Sequence, residues 1–89
     1  MTDTVRCRVY RSNRKAETYL YLREDETEEV LPEDLRRLFG RLELAMELEL
    51  HAGRSLAREN VHEVMNNLRT RGWHLQMPPP VEMFGIPRA

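Results

Sequence analysis

The chain is predicted to be one small α+β domain whose elements run in the order ββαβαβ, with a mainly antiparallel sheet. Its 89 residues leave room for a single hydrophobic core. Four short segments alternate apolar and polar residues, as half-buried strands do. Two other segments carry apolar residues at helical spacing and have proline or glycine at their ends. Together these observations predict an α+β class.

The first two strands are predicted to form a hairpin. Apolar residues recur at every second position over 5–9 and again over 20–22. Ser12 and Asn13 lie between these segments and are common turn residues. Consecutive strands joined by a short loop usually pair, so we expect antiparallel pairing here. The acidic stretch 24–30 that follows is predicted to be a loop.

Two helices are predicted from their boundaries and apolar spacing. Pro32 suits a first helical turn, and Gly40 suits the residue that ends a helix, which gives a helix over about 32–39. A second helix is predicted over about 57–71, ended by Gly72. Its apolar residues, at i, i+3, i+4 and i+7, are Val61, Val64, Met65 and Leu68.

In the segment between the helices, the amino-acid composition and the alternation of residues favour different structures. Residues 42–50 are good helix formers, but they alternate strictly between large apolar residues and mostly glutamate. Burying five large side chains on one face outweighs a small propensity per residue, so we predict a third strand. The side chains predicted to share its apolar side are Leu42, Leu44, Met46, Leu48 and Leu50. Residues 73–77 alternate as well and predict strand four, and Pro78–Pro80 should leave it in an extended conformation.

Charge is unevenly distributed, although the net charge is only −1. Residues 1–23 carry +4, residues 24–34 carry −7 and the remainder carries +2. This indicates a dipolar surface, which differs from the uniformly basic surface of most nucleic-acid-binding domains. The alternative is that the basic and acidic segments neutralise each other across a short distance.

Location is predicted from cysteine usage and hydropathy. Cys7 is the single cysteine, so an internal disulfide is excluded and a reducing cytoplasm is the expected compartment. The start of the chain lacks the charged-then-apolar layout of a signal peptide. No apolar run approaches the roughly 18 residues that a membrane helix needs, so we expect no membrane partner.

The basic hairpin turn is the candidate binding site. Tyrosines that stack on bases, beside cations that contact phosphates, are typical of single-stranded RNA binding. In this interpretation Arg8, Tyr10, Tyr19 and Tyr21 share one face of the hairpin, beside the cations of the turn. The alternative is that the tyrosines form cross-strand pairs buried under a helix. The candidate partner-binding residues are Tyr10, Arg11, Arg14, Lys15, Tyr19 and Tyr21.

Candidate catalytic and metal-binding residues are sparse. Cys7, His51, His62 and His74 are scattered without the spacing of a metal site, so neither a metal nor a cofactor is expected. Glu43, Glu47 and Glu49 are predicted to line one face of the third strand, where carboxylates can act as acid and base. A solvated strand face explains them as well. The chain has no glycine-rich phosphate loop and no nucleophile elbow, so an enzyme is the less favoured class.

Three runs in a fixed order resemble a known family. They are the hairpin run Cys7–Leu22, Leu31-Pro32 followed by Phe39-Gly40, and the Gly72–Pro80 run GWHLQMPPP. Together they resemble the YcgL domain family of small bacterial proteins. The resemblance covers 7–80 and implies a sandwich in which helices pack on a small, mainly antiparallel sheet. It carries over no catalytic residue, and it divides the chain into a domain over 1–80 and a tail over 81–89.

Three functions remain open from the sequence. The first is a non-enzymatic module that contacts a protein or single-stranded RNA through the hairpin turn and the Pro78–Pro80 exit. The second is a small hydrolase or transferase that uses the carboxylates of the third strand or a histidine. The third is a structural subunit that dimerises through an exposed sheet edge. The identity of the partner and the oligomeric state are not predicted.

Overall fold

The fold follows the predicted order of elements. A computed structural model describes residues 4–56 and 59–77. The helices and strands are β1 (Thr4–Ser12), β2 (Tyr19–Arg23), α1 (Glu33–Phe39), β3 (Leu42–His51), α2 (Val61–Thr70) and β4 (Trp73–Gln76). This confirms the α+β class. The predicted Pro78–Pro80 exit, the tail over 81–89 and the boundary between domain and tail lie outside the described residues.

The four strands form one sheet in the order β3-β1-β2-β4, and every neighbouring pair is antiparallel. The predicted hairpin is confirmed, since Tyr10 lies opposite Leu20 and Val9 lies opposite Tyr21. β3 returns along the other side of β1, so that its first residue, Leu42, lies opposite Ser12. The end of β1 and the start of β3 therefore meet at one end of the sheet.

Helices cover both faces of the sheet, as expected for a sandwich. On one face, called here the α2 face, Val9, Tyr21 and Leu50 pack against Val64 and other buried residues of α2. On the opposite α1 face, Leu20 packs against Leu31 and Phe39. Because successive strand residues point to opposite faces, the neighbours Leu20 and Tyr21 contribute to two separate cores, and the expectation of a single core is wrong.

The helix boundaries differ from the prediction in two places. α2 begins at Val61 rather than near residue 57, because Asn60 is extended and its Oδ1 accepts hydrogen bonds from the N–H groups of His62 and Glu63 at 2.9 and 3.2 Å. The acidic stretch predicted as loop contains a short 3-10 helix, Glu28–Val30. Thr27 caps this turn, since its Oγ1 accepts from the N–H of Glu29 at 3.3 Å.

β3 is a strand, as predicted, but its apolar residues do not share one side. Val9 lies opposite Met46 and Tyr10 lies opposite Leu44, so Ala45 is an extra residue in a β-bulge. Directly opposed residues share a face, and the bulge therefore moves the start of β3 onto the α1 face. Leu42 and Leu44 lie on the α1 face, and Met46, Leu48 and Leu50 lie on the α2 face.

Candidate functional site

The turn between β1 and β2 is organised by Ser12, which is buried. Its Oγ accepts hydrogen bonds from the backbone N–H groups of Arg14 and Lys15 at 3.1 and 3.0 Å, and it donates to the carbonyl of Phe39 at 2.6 Å. One side chain thus closes the turn and fastens it to the last residue of α1. The turn predicted from the sequence at this position is confirmed. The hydrogen bond that attaches it to α1 was not predicted.

The turn between α1 and β3 is fastened to the same place. The N–H of Asn13 donates to the carbonyl of Arg41 at 3.1 Å, and the N–H of Arg41 donates to Asn13 Oδ1 at 2.9 Å. Arg14 donates from its guanidinium to the carbonyl of Arg37 at 3.3 Å. Arg14 also lies across Gly40, whose φ of +67° and lack of Cβ leave space for it. Two turns distant in sequence therefore form one hydrogen-bonded unit.

This unit brings together more cations than the hairpin alone. Six exposed cations lie in these turns or in the chain segments that lead into them, and we call them the basic end: Arg11, Arg14, Lys15, Arg36, Arg37 and Arg41. Two of them form ion pairs with carboxylates, Arg11 with Glu43 at 3.3 Å and Arg37 with Glu33 at 2.9 Å. The other four form no ion pair within residues 4–56 and 59–77. The surface therefore keeps an excess of positive charge.

Sequence reasoning missed the second half of the basic end. Arg36, Arg37 and Arg41 flank Gly40, far from the hairpin in sequence. The backbones of Arg37 and Arg41 contact the hairpin turn, and β3 pairs antiparallel with β1, which places Leu42 opposite Ser12. A prediction of that pairing would have found them. The same junction holds two exposed leucines, Leu38 and Leu44, which are 39% and 57% exposed.

The tyrosines do not form a stacking surface beside these cations. Tyr10 is half-buried on the α1 face against the Leu20 core, whereas Tyr19 and Tyr21 lie on the α2 face. The expectation that Tyr10 shares a face with Tyr19 and Tyr21 is wrong, because Tyr10 lies opposite Leu20 and Tyr21 lies opposite Val9. The pairing of strands thus separates the aromatic candidates from one another.

Tyr21 is a core residue. The residue is 6% exposed, and its hydroxyl donates to Gln76 Oε1 at 2.9 Å. Burial is the main cause that raises the pKa of the Tyr21 hydroxyl, and the negative charge of Glu59 raises it further. The ring also meets His74 edge-on, with centroids 5.7 Å apart. These contacts match the alternative in which tyrosines pack across strands under a helix.

His74 is held between two side chains. Its Nε2 lies 2.6 Å from Glu59 Oε1, and its Nδ1 lies 2.9 Å from the side-chain amide nitrogen of Asn67. In this orientation of the amide, the Asn67 side-chain nitrogen donates to Nδ1, and Nε2 donates to Glu59 Oε1. The network connects β4 to α2 and to Glu59, which precedes α2.

The remaining candidates for catalysis or metal binding are dispersed. Cys7 is buried in the α2 core, and burial raises the pKa of its thiol to about 11. No cluster of three histidine, cysteine or carboxylate side chains with metal-binding geometry occurs among the described residues. Glu43 does not share a face with Glu47 and Glu49, because the bulge at Ala45 intervenes. The predicted row of three carboxylates on one face is therefore wrong.

Comparison with known proteins identifies relatives along nearly the whole domain. A family model described as the YcgL domain matches residues 7–79. A YcgL domain-containing protein of Pseudomonas fluorescens is 47% identical over 78 residues, which is 88% of this chain and 80% of that protein. One from Thioalkalivibrio sulfidiphilus is 47% identical over 74 residues, covering 83% of this chain and 91% of the relative. One from Serratia proteamaculans is 40% identical over 76 residues, 85% and 84% of the two chains.

The names of these relatives identify a domain and do not give an activity. Within the described part of the chain, no helix combines the length and the apolar character needed to cross a bilayer, and α2, the longest, has ten residues.

Proposed function

The chain belongs to the YcgL domain family, and from that premise we propose that it is a protein-binding module that docks an acidic, leucine-containing segment of a partner at the basic end. The observation that carries this proposal is the junction of the two turns. There, hydrogen bonds through Asn13 and Arg14 join the two turns, and four cations that form no ion pair within the described residues lie near two exposed leucines.

Fixed backbone geometry makes these cations suitable for recognition. Asn13 and Arg41 exchange two hydrogen bonds, so the two backbone turns that carry the cations keep their relative position in the unbound domain. A preorganised surface loses little entropy when it binds. Complementary charge then supplies fast association and selects partners by sign.

The exposed leucines favour a protein over a nucleic acid as partner. Leu38 and Leu44 lie within four residues of the Gly40–Arg41 turn, on either side of it. Single-stranded RNA is bound through aromatic rings that stack on its bases, and here Tyr21 is buried while Tyr10 packs into a core. Aliphatic side chains beside cations instead suit a protein segment that alternates acidic and apolar residues.

A titration with isotope-labelled protein tests the proposal. The probe is an acetylated octapeptide, Glu-Glu-Leu-Glu-Glu-Leu-Glu-Glu, followed through the backbone amides at low and moderate salt. We expect shifts confined to 12–15 and 37–44 that weaken as salt is added. The same peptide with serine in place of leucine should bind more weakly. Ten-residue polyuridine RNA should shift these amides less than the leucine peptide does.

Two double variants with the same change in net charge distinguish the effect of charge at the basic end from the effect of the overall charge of the protein. Lys15→Gln with Arg41→Gln removes two charges from the basic end, and we expect it to abolish most of the response. His62→Glu with Asn66→Glu adds two negative charges on the exposed side of α2, and we expect it to leave the response nearly unchanged. Equal weakening by both pairs, or RNA shifts as large as those of the peptide, would contradict the proposal.

A further inference from the structure

β3 forms a long open edge of the sheet. Among the described residues it pairs only with β1, so the other side of this ten-residue strand presents unpaired backbone N–H and C=O groups. The opposite edge strand, β4, has only four residues. Five consecutive residues of β3, Glu43–Glu47, are exposed. An edge of this length is a site where another extended chain can pair.

The second half of β3 is the regular part of this edge. The bulge at Ala45 interrupts the first half, and bulges of this kind discourage pairing. From Met46 to His51 the register with β1 continues without interruption. This half ends at the His51 turn, where the N–H of Gly53 donates to His51 Nδ1 at 3.2 Å. A pairing segment would therefore align with Met46–His51.

We propose that Met46–His51 accepts an extended segment of a partner protein as a fifth strand, and that this segment alternates apolar and cationic side chains. The site is separate from the basic end, and the charge of its partner is opposite. Main-chain hydrogen bonds would provide the affinity, and the two rows of side chains would select the sequence.

β1, the strand that already pairs with β3, shows which side chains fit against β3. The apolar residues of β1 lie opposite Met46, Leu48 and Leu50, and its arginines lie opposite the glutamates. Arg6 Nε is 3.2 Å from Glu49 Oε2. A strand on the outer side of β3 meets the acidic row on the α1 face, and on the α2 face it meets the exposed Met46 and the half-buried Leu48, whereas Leu50 is fully buried. The alternation of valine and arginine in β1 is therefore the pattern expected of the partner.

One glutamate is available for such a partner. Glu47 lies opposite Arg8 in the register, but Arg8 donates to the carbonyl of Glu26 at 2.9 Å. The Glu47 carboxylate is exposed and forms no ion pair within the described ranges. On the other face, Met46 is 50% exposed and lines a cavity of about 220 Å³ together with Leu48 and Leu56. An apolar side chain of the partner beside Met46 would extend the apolar lining of this cavity.

A second copy of the chain fits less well than a basic segment. Pairing two β3 strands would bring Glu47 and Glu49 of one copy beside the same carboxylates of the other. Like charges that face each other across strands destabilise the pairing. The charge on β3 thus argues against dimerisation through this edge.

Three short peptides test the proposal on the intact labelled protein. The first is acetyl-Arg-Val-Arg-Val-Arg-Val-amide, and the second has the same composition with arginines and valines in separate blocks. The third is the first peptide with alternate backbone amides N-methylated, which removes ladder donors and keeps the charge. We expect only the first to shift the amides of 46–51 and to slow hydrogen exchange at every second residue there.

A charge reversal with a matched control completes the test. Glu47→Lys should weaken binding of the first peptide by about three- to tenfold. Glu29→Lys, the same change at an exposed position of the 3-10 helix, should leave binding unchanged. Thermal unfolding of both variants confirms that they fold. Equal binding of all three peptides would overturn the proposal. So would a protein that is dimeric by light scattering without peptide and is already protected over 46–51.

Discussion

The side chain of Arg14 occupies the space that a Cβ on Gly40 would fill. A Cβ built at Gly40 would come within 2.6 Å of Arg14 Cγ and Cδ, and Gly40 has φ of +67°. The glycine therefore does more than end α1. It allows the turn between β1 and β2 to close against the start of β3, and so it determines how the basic end is assembled.

Replacing this glycine should destabilise the domain and disturb the basic end. We expect Gly40→Ala to lower the free energy of unfolding by about 1–3 kcal/mol, because a side chain is disfavoured at this φ and also collides with Arg14. Denaturant unfolding measures the effect. Gly53→Ala is the matched control, since a Cβ there would lie no closer than 3.5 Å to His51. Equal stability of the two variants would show that the Gly40 conformation is not required.

The start of α2 depends on one side chain. Asn60 Oδ1 accepts from the N–H groups of His62 and Glu63, which would otherwise lack partners at the first turn. We expect Asn60→Ala to cost about 1 kcal/mol of unfolding free energy and Asn60→Asp to cost much less, because aspartate keeps the acceptor. Urea unfolding of both variants measures this difference. Equal losses would mean that the cap contributes nothing.

The sequence predicts those features that depend on local pattern. Alternation over 42–50 identified β3 against its helix-forming composition, and Gly72, with φ of +89°, ends α2 as expected. The bulge at Ala45 was not predictable, because the alternation of apolar and polar residues continues through it without a break. The bulge exists only relative to β1, so no pattern within β3 indicates it.

Only half of the candidate site was predicted from the sequence, because the other half also depends on the pairing of β3 with β1. Arg11, Arg14 and Lys15 follow from the hairpin turn, which is local. Arg37 and Arg41 join them only through the pairing of β1 with β3, a contact between distant segments. The aromatic part of the prediction failed because it placed the tyrosines of two paired strands on one face without applying the register.

The hydroxyl of Tyr21 should contribute to stability. It donates to Gln76 Oε1 in a partly buried site, so Tyr21→Phe leaves that acceptor unpaired and should cost about 1 kcal/mol. Tyr19→Phe is the control, because Tyr19 is half-buried on the same face and its hydroxyl makes no hydrogen bond within the described residues. We expect a change below about 0.5 kcal/mol for it in thermal unfolding. A larger loss of stability for Tyr19→Phe than for Tyr21→Phe would contradict this prediction.

Cys7 should make stability fall at high pH. Burial raises the pKa of its thiol from 9.0 to about 11, and the nearby Arg54 charge opposes this only in part. Between these pH values the unfolded chain loses the Cys7 proton while the folded domain keeps it. The unfolded state then binds fewer protons, so the free energy of unfolding decreases as pH rises. The stabilising contribution is complete below pH 9.0 and is lost as pH rises through about 11.

Denaturant unfolding at several pH values from 8 to 11 tests this linkage against a Cys7→Ala variant. The variant is expected to start from a lower stability, since a buried sulfur is removed, but its stability should decline less steeply with pH. Tyr21, whose pKa is also raised by burial, keeps part of the decline in both proteins. The Cys7 charge also raises the pKa of Tyr21, so the difference between the two slopes reports the thiol together with its interaction with Tyr21. Parallel curves would show that Cys7 has the same pKa in the folded and unfolded states, and that the α2 core admits water at this position.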